Sequence, residues 1–318
     1  MTAAQDSGAT KVGPDTAAPT NRAGAGAGAE DQMDAPMPVR PWWQRLAQDP
    51  AALVAAAVLV IIVVCAIAAP LIAPHDPFAS SRAVMQPPVW TDRGNWLHPM
   101  GTDGQGRDML SRLFYGTRLT LIIGVVSVAV GGILGSLMGL MAAFRPALDP
   151  WVMRLVDVML SFPAILLGLA LVAVLGPGAG PVIVALAIAT IPDCARIARS
   201  IAMSIMKQEY IEAGRALGLS NAALFSRYLL RNCISSIMIF ISLRFGQIIL
   251  IGAALSFLGL GARPPTAELG MMAAQGRDFL LFAPHIAVIP SVLIFVIVLS
   301  ANVLGDALRD VLDPRLRS

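Results

Sequence analysis

The sequence has 318 residues, of which 56% are apolar and only 14% charged, whereas ordinary soluble domains carry about 25% charged residues. Its net charge of +3 is small, and the arginines are scattered among loops without interleaved aromatic residues, which argues against nucleic-acid binding. The apolar residues come in runs long enough to cross a bilayer, so the composition predicts an all-α polytopic membrane protein. Three cysteines, Cys65, Cys194 and Cys233, lie far apart, without the spacing of a disulfide or a metal site.

The first part of the chain combines a polar tail with a membrane anchor. Residues 1–40 are rich in Ala, Gly, Pro, Thr and Asp and offer almost nothing that could be buried, so we expect a disordered cytoplasmic tail. Residues 41–73 then combine an interfacial anchor (Trp42, Trp43 and Arg45) with the first transmembrane helix.

Six apolar segments follow one another and predict six transmembrane helices. About 20 helical residues cross the hydrocarbon core of a bilayer, and each segment approaches or exceeds that length. The second segment contains Gly135 and Gly139, a G-x-x-x-G pair that favours close helix contact, and Pro163 is expected to kink the third. The expected spans are approximately 51–73, 119–144, 152–175, 182–200, 233–258 and 286–306.

Basic residues in the short loops predict the orientation of these spans. With six spans, four groups of arginine and lysine residues fall on one side, which should be the cytoplasm, while the opposite side has nearly balanced charges. Both termini, including the tail 307–318, are therefore expected in the cytoplasm. The four groups are Arg40 and Arg45; Arg145 and Arg154; Arg196, Arg199, Lys207, Arg215, Arg227 and Arg231; and Arg309, Arg315 and Arg317.

The outer segment, residues 74–118, begins with turn chemistry and is expected to end as a short amphipathic helix near Met109. Its Gly-rich stretch GTDGQG could suggest phosphate binding. However, the only lysines in the sequence are Lys11 and Lys207, and neither follows a glycine, which excludes a Walker A loop. The chain is therefore not expected to be an ATPase, and any ATP hydrolysis should occur on another polypeptide.

A polar elbow, residues 201–232, separates two apolar segments. Its first part favours helix, Gly218 can adopt a left-handed cap, and Ser220 can cap a second helix that ends near Leu230. Gly214 allows a close backbone approach. These patterns alone leave two interpretations open: a loop on the membrane surface, or a docking site for a partner.

The stretch from Glu212 to Gly218 resembles the E-A-A-x-x-x-G motif of ABC-importer permease subunits. In that family the elbow is a coupling helix that docks on an ATPase subunit. Here a glycine replaces the second alanine, and Arg231 stands where the family often has proline, which leaves open how the chain enters the next span. The residues to which the resemblance assigns coupling are Glu209, Glu212, Ala213, Gly214, Gly218 and Ser220.

Further motifs extend the resemblance over residues 96–316 and narrow it to the C-type permeases of dipeptide and oligopeptide importers. They are H-P-x-G-T-D-x-x-G-R-D from His98, S-F-P at 161–163, A-L-S-F-L-G-L-G at 254–261 and G-D-A-L-R-D-V-L-D-P-R at 305–315. This resemblance implies the six-span type I importer fold in a bacterial inner membrane. It also implies a second homologous permease, one or two ATPase subunits, a periplasmic binding protein and surrounding lipid as partners, and no cofactor. Residues 74–118 would then be periplasmic.

Four charged residues fall within or at the ends of predicted spans. Such charges are costly in lipid and should face protein or water. Arg154 and Asp157 are three residues apart and can pair on one helix face. Asp193 and Arg244 depart from the family pattern; they could line the translocation path, or they could pair with each other or with the partner permease, and we favour pairing. Asp157, Asp193 and Arg244 are also candidates for the translocation path.

Other functions remain as alternatives. Nickel, glutathione and other small solutes are carried by the same importer class. A secondary transporter without an ATPase is a second class, although no inverted repeat is visible. A membrane enzyme is disfavoured because the sequence lacks the H-E-x-x-H and G-x-S-x-G motifs. His75, His98 and His285 each lie beside proline and are expected in turns rather than in a metal site.

Overall fold

The computed structural model describes residues 46–312, and the regular structure in that range is helical apart from one β-bridge between Thr102 and Asp108. The predicted tail 1–40, the anchor residues Trp42, Trp43 and Arg45, and residues 313–318 lie outside this range. The helices are α1 (Pro50–Ile67), α2 (Ala69–Ile72), α3 (Met109–Phe144), α4 (Asp149–Leu160), α5 (Ala164–Leu175), α6 (Ala179–Met206), α7 (Glu209–Ala216), α8 (Asn221–Phe257), α9 (Leu269–Gly276) and α10 (His285–Leu312).

Five of these helices, α1, α3, α6, α8 and α10, are long and apolar enough to cross a bilayer. Helices α4 and α5 form a pair bent by 89°, and each has 12 residues, a length of about 18 Å that is too short to span alone. With this pair counted as one broken span, the described residues contain the six predicted spans.

The bend at Pro163 is far sharper than the predicted kink. Pro163 has an extended backbone (φ −54°, ψ 134°), so α4 ends at Leu160 and α5 begins at Ala164. Proline lacks an N–H and disfavours helical geometry in the residue before it, here Phe162. The two half-helices therefore run at nearly a right angle.

A separate short helix was predicted before residue 119, but the structure has one continuous helix, α3, in its place. It runs unbroken for 36 residues, and Asp108 caps its start by accepting a hydrogen bond from the N–H of Ser111 at 2.8 Å. Gly116 does not interrupt it; this residue is buried, and a Cβ there would lie 3.2 Å from the sulfur of Met272. The outer part of α3 thus joins the second span directly to the outer segment.

Helices α3 and α6 pack through a row of glycines. Gly131, Gly135 and Gly139 lie four residues apart on one face of α3, and all three are buried. A Cβ at these positions would overlap the backbone carbonyl oxygens of Ala187, Ile191 and Ala195 of α6, respectively. The close contact predicted from the G-x-x-x-G pair is confirmed, and it extends over one more turn of helix.

The second arm of the elbow is continuous with the fifth span. This arm was predicted to end near Leu230. Instead, α8 continues from Asn221 to Phe257 through a π-helical stretch, Leu224–Leu230. Arg231 has ordinary helical dihedrals (φ −61°, ψ −36°), so the chain enters the fifth span without a break at this residue. Helix α10 likewise continues past residue 306, to Leu312.

Candidate functional site

The turn between α7 and α8 is built on Gly218. Its φ of +77° lies in the left-handed region, and its N–H donates to the carbonyl of Arg215 at 3.0 Å. The next N–H, of Leu219, donates to the carbonyl of Gly214 at 3.1 Å. No atom lies within 4 Å of the place a Cβ would take on Gly218, so this position requires glycine for its backbone conformation and not for lack of space. The predicted left-handed cap is confirmed.

Two other residues singled out by the sequence stabilise the elbow internally. Ser220 caps α8, because its hydroxyl oxygen accepts a hydrogen bond from the N–H of Ala223 at 3.3 Å. Gly214 is buried, and a Cβ there would lie 3.1 Å from side-chain carbons of both Leu219 and Leu224. Both roles, the cap and the close approach, are as predicted.

The outer surface of the elbow is exposed in the isolated chain. Eight consecutive residues, 215–222, and the two exposed positions before Gly214 form most of this surface, and Leu217 at the tip is 83% exposed. Of the six predicted coupling residues, Gly214 is buried and the other five are exposed: Glu209, Glu212, Ala213, Gly218 and Ser220. The elbow therefore presents two carboxylates, small residues and an apolar tip to a partner.

The inner side of the elbow is anchored in an apolar cluster at the end of the spans. Leu224 and Leu229 of α8 are 3% and 0% exposed, and Leu229 packs in a cluster with Leu140 of α3 and Ala202 of α6. The rings of Phe144, at the end of α3, and Phe225 meet edge to face with centroids 5.3 Å apart. The inner side of the elbow is therefore packed against α3 and α6.

The ion pairs near this end differ from the predicted one. Arg154 does not pair with Asp157; instead the side chain of Arg196 on α6 donates to Asp157 on α4 at 2.5 Å, with both side chains more than half exposed. Arg199 on α6 binds Asp149 at the start of α4 through two hydrogen bonds. The prediction was wrong because the helical spacing of 154 and 157 describes one helix and contains no information on which arginines of α6 lie opposite.

A second charged pair lies deeper in the spans. Arg244 on α8 donates to the carboxylate of Asp193 on α6, which is one of the two pairings predicted, and also to the side-chain oxygen of Gln247 at 2.6 Å. The guanidinium lies over the ring of Phe240 at 5.9 Å. The side chains of Arg244 and Asp193 are 14% and 32% exposed, so the pair is accessible from one side.

The outer segment contains a buried polar cluster that the sequence analysis missed. Asp103 binds the Nε of Arg107 at 2.7 Å and lies 3.4 Å from the Nε of Arg112, and all three side chains are at most 7% exposed. His98 and Asp108 beside them are buried as well. The H-P-x-G-T-D-x-x-G-R-D motif contains most of these residues, so its density of charges was the available signal.

Two models of known families match the chain. One, described as "Binding-protein-dependent transport system inner membrane component", covers residues 131–318, more than half of the chain. The chain belongs to this family. The other, described as "N-terminal TM domain of oligopeptide transport permease C", covers residues 38–88 at the opposite end of the permease.

Curated relatives match this chain over nearly its whole length and support the same family. The permease is 41% identical to a di/tripeptide transport system permease protein (DppC) of Pseudomonas aeruginosa over 285 residues, covering 89% of this chain and 94% of that protein. It is 39% identical to a glutathione transport system permease protein (GsiD) of Pectobacterium atrosepticum, covering 88% of this chain and 92% of that protein.

Among solved structures, the inward-facing MetNI methionine ABC transporter matches with a TM-score of 0.51 at 21% identity, covering 63% of this chain and 97% of that one. At this identity the match shows the fold, which is the predicted importer-permease fold. The permease is thus a multi-pass inner-membrane transport protein and not an enzyme, and its family implies ATPase and substrate-binding partners.

Proposed function

We propose that this permease carries di- or oligopeptides, and that it forms half of a translocation path with a second, homologous permease. Its similarity over 94% of the length of a di/tripeptide permease supports this substrate class. One or two ATPase subunits bind the elbow, a periplasmic binding protein delivers the substrate to the outer segment, and lipid covers the remaining apolar faces. Both termini lie in the cytoplasm, on the same side as the elbow.

The observation that carries the coupling role is the two-sided construction of the elbow. Its outer side exposes Glu209, Glu212 and Leu217, while on its inner side Leu229 is buried among three spans. A surface loop needs no such rigid attachment. When the ATPases close, they pull on the outer side, and the attached spans tilt and open the path.

Glutathione is the second candidate substrate, since a glutathione permease is 39% identical to this chain over a similar length. Both substrates carry carboxylate and ammonium groups, which a pair of opposite charges can meet. We propose Asp193 and Arg244 as such a pair in the path, with Asp157 nearer the cytoplasmic end. Competition between unlabelled glutathione and unlabelled dipeptide for uptake of a labelled dipeptide distinguishes the two substrates.

The test of coupling uses two substitutions at one position. In Gly218→Val, a β-branched residue must adopt a left-handed conformation, which costs about 1–3 kcal/mol and distorts the turn. In Gly218→Asn, the side chain tolerates that conformation. The tagged permease is purified in mild detergent from its own host, and the accompanying polypeptides and the uptake of dipeptide are measured.

We expect a second permease and Walker A-containing ATPases to co-purify with the native chain and with Gly218→Asn. Gly218→Val should insert normally but lose the ATPases and uptake. Normal uptake by Gly218→Val would contradict the elbow model. If the native chain purifies alone and moves solute without ATP, an ATP-independent secondary transporter is the correct function.

A further inference from the structure

Two histidines and an aspartate from different parts of the outer segment meet at the outer end of α3. The Nδ1 atom of His98 lies 2.9 Å from Oδ1 of Asp108, and the Nδ1 atom of His75 lies 3.8 Å from the same oxygen. The two imidazole rings face each other with centroids 4.8 Å apart. One ligand atom from each of the three residues lies within 4.8 Å of the other two. His285 is separate and contacts the carbonyl of Thr102 instead.

Ser111 fixes the orientation of this cluster. Its N–H and its hydroxyl both donate to Oδ2 of Asp108, each at 2.8 Å, which leaves Oδ1 directed at the imidazoles. Its hydroxyl oxygen also accepts a hydrogen bond from the backbone N–H of His75 at 3.1 Å. One residue therefore positions a carboxylate and a histidine, as the hydrogen-bond partners of metal ligands commonly do.

A hydrogen-bonded pair alone does not account for His75. The contact between His98 and Asp108 satisfies both of those groups, whereas Nδ1 of His75 is buried and has no hydrogen-bond partner among the described residues. At 3.8 Å from Oδ1 of Asp108, it is too far for a hydrogen bond. The Nδ1 atom of His75 thus lies beside a carboxylate oxygen without a hydrogen bond to it.

We propose that His75, His98 and Asp108 bind a divalent transition-metal ion of the zinc type. Imidazole nitrogen and carboxylate oxygen suit such ions, and zinc takes them as ligands at about 2.0–2.2 Å. Ligand atoms at tetrahedral angles around such an ion lie about 3.3 Å apart. The distances from Oδ1 of Asp108 to Nδ1 of His98 and to Nδ1 of His75, 2.9 Å and 3.8 Å, lie on either side of this value. The side chain of His75 is 33% exposed, which provides a route of entry.

The metal links parts of the chain that are otherwise joined by loops. His75 follows α2 at the outer end of the first span, Asp108 is the cap of α3, and His98 belongs to the loop between them. A bound ion therefore fastens the first span and the outer loop to the second span. This role does not depend on the substrate of the permease or on its coupling to ATPases.

The test measures zinc on the full-length permease, purified in detergent with a tag that contains no histidine. After treatment with a chelator and dialysis against micromolar zinc chloride, bound zinc is counted by inductively coupled plasma mass spectrometry. We expect stoichiometric zinc on the native chain, with an affinity at least about tenfold lower in His75→Gln and in His98→Gln. Cobalt in place of zinc should give the visible absorption of a tetrahedral site.

Asp76→Asn is the matched control, because Asp76 is next to His75 but its carboxylate accepts a hydrogen bond from the N–H of Phe78 at 2.8 Å. This variant should bind zinc like the native chain. Size-exclusion profiles check that the glutamine variants are folded; His75 is the safer substitution, because its ring makes no hydrogen bond that the fold could lose. Zinc content that is equal in the native chain and in the double variant His75→Gln/His98→Gln, or absent from the native chain, would overturn the proposal.

Discussion

Arg199 and Asp149 form a two-point contact between helices that are 50 residues apart in the sequence. The Nε atom of Arg199 lies 2.5 Å from one carboxylate oxygen and its Nη2 atom lies 2.6 Å from the other. Parallel hydrogen bonds of this kind fix both distance and angle. The contact fastens the last turns of α6, directly before the elbow, to the first residue of α4. It thereby connects the elbow to the bent span.

The strength of this contact can be measured by a double-mutant cycle with Asp149→Ala and Arg199→Ala. Both side chains are less than one third exposed, so we expect a coupling of about 1 kcal/mol in the free energy of unfolding, at the upper end for ion pairs near a surface. The pair of Arg196 and Asp157 serves as the control. It is more than half exposed and has one contact, and its coupling should be smaller. The opposite order would contradict this interpretation.

The glycine row of α3 predicts a sharp steric penalty. In Gly135→Ala the added methyl would overlap the carbonyl oxygen of Ile191, so α3 and α6 must separate, at a cost of about 1–3 kcal/mol. Gly180→Ala is the matched control, because Gly180 also lies in a helix but has no atom within 4 Å of the new methyl. Thermal unfolding followed by size-exclusion chromatography should show a lower midpoint for Gly135→Ala alone. Equal midpoints would show that the packing is looser than described.

The pair of Asp193 and Arg244 allows stability to be separated from transport. Removal of one partner leaves a charge unpaired between spans, and we expect Asp193→Asn to lose about 3 kcal/mol of stability. The double variant Asp193→Asn/Arg244→Gln removes both charges and should regain native yield and thermal midpoint. Its dipeptide uptake should nevertheless fall, because the proposed path has lost its charges. Native uptake by a stable double variant would assign the pair a structural role only.

Local features of the sequence were sufficient to predict the spans and the turn of the elbow. Long apolar runs predict helices wherever lipid must surround the backbone, because only internal hydrogen bonds can then satisfy it. Gly218 and Ser220 act within a few residues of themselves, so their roles as left-handed turn and helix cap followed from spacing alone. The contact at Gly135 also followed, since a small residue every fourth position marks one helix face.

The pairing of distant residues was decided by tertiary structure alone. Nothing in the spacing of Arg154 and Asp157 shows that Arg196 lies opposite Asp157, because that depends on how α4 and α6 cross. Likewise, His75 and His98 were interpreted separately as residues of turns and Asp108 only as part of a motif, and only the folding of the outer segment onto α3 brings their side chains together. The sequence by itself determined which segments enter the membrane and where the chain turns. The packing of those segments determined which charged groups and histidines meet, since contacts such as Asp157 with Arg196 and His75 with Asp108 join residues 39 and 33 positions apart.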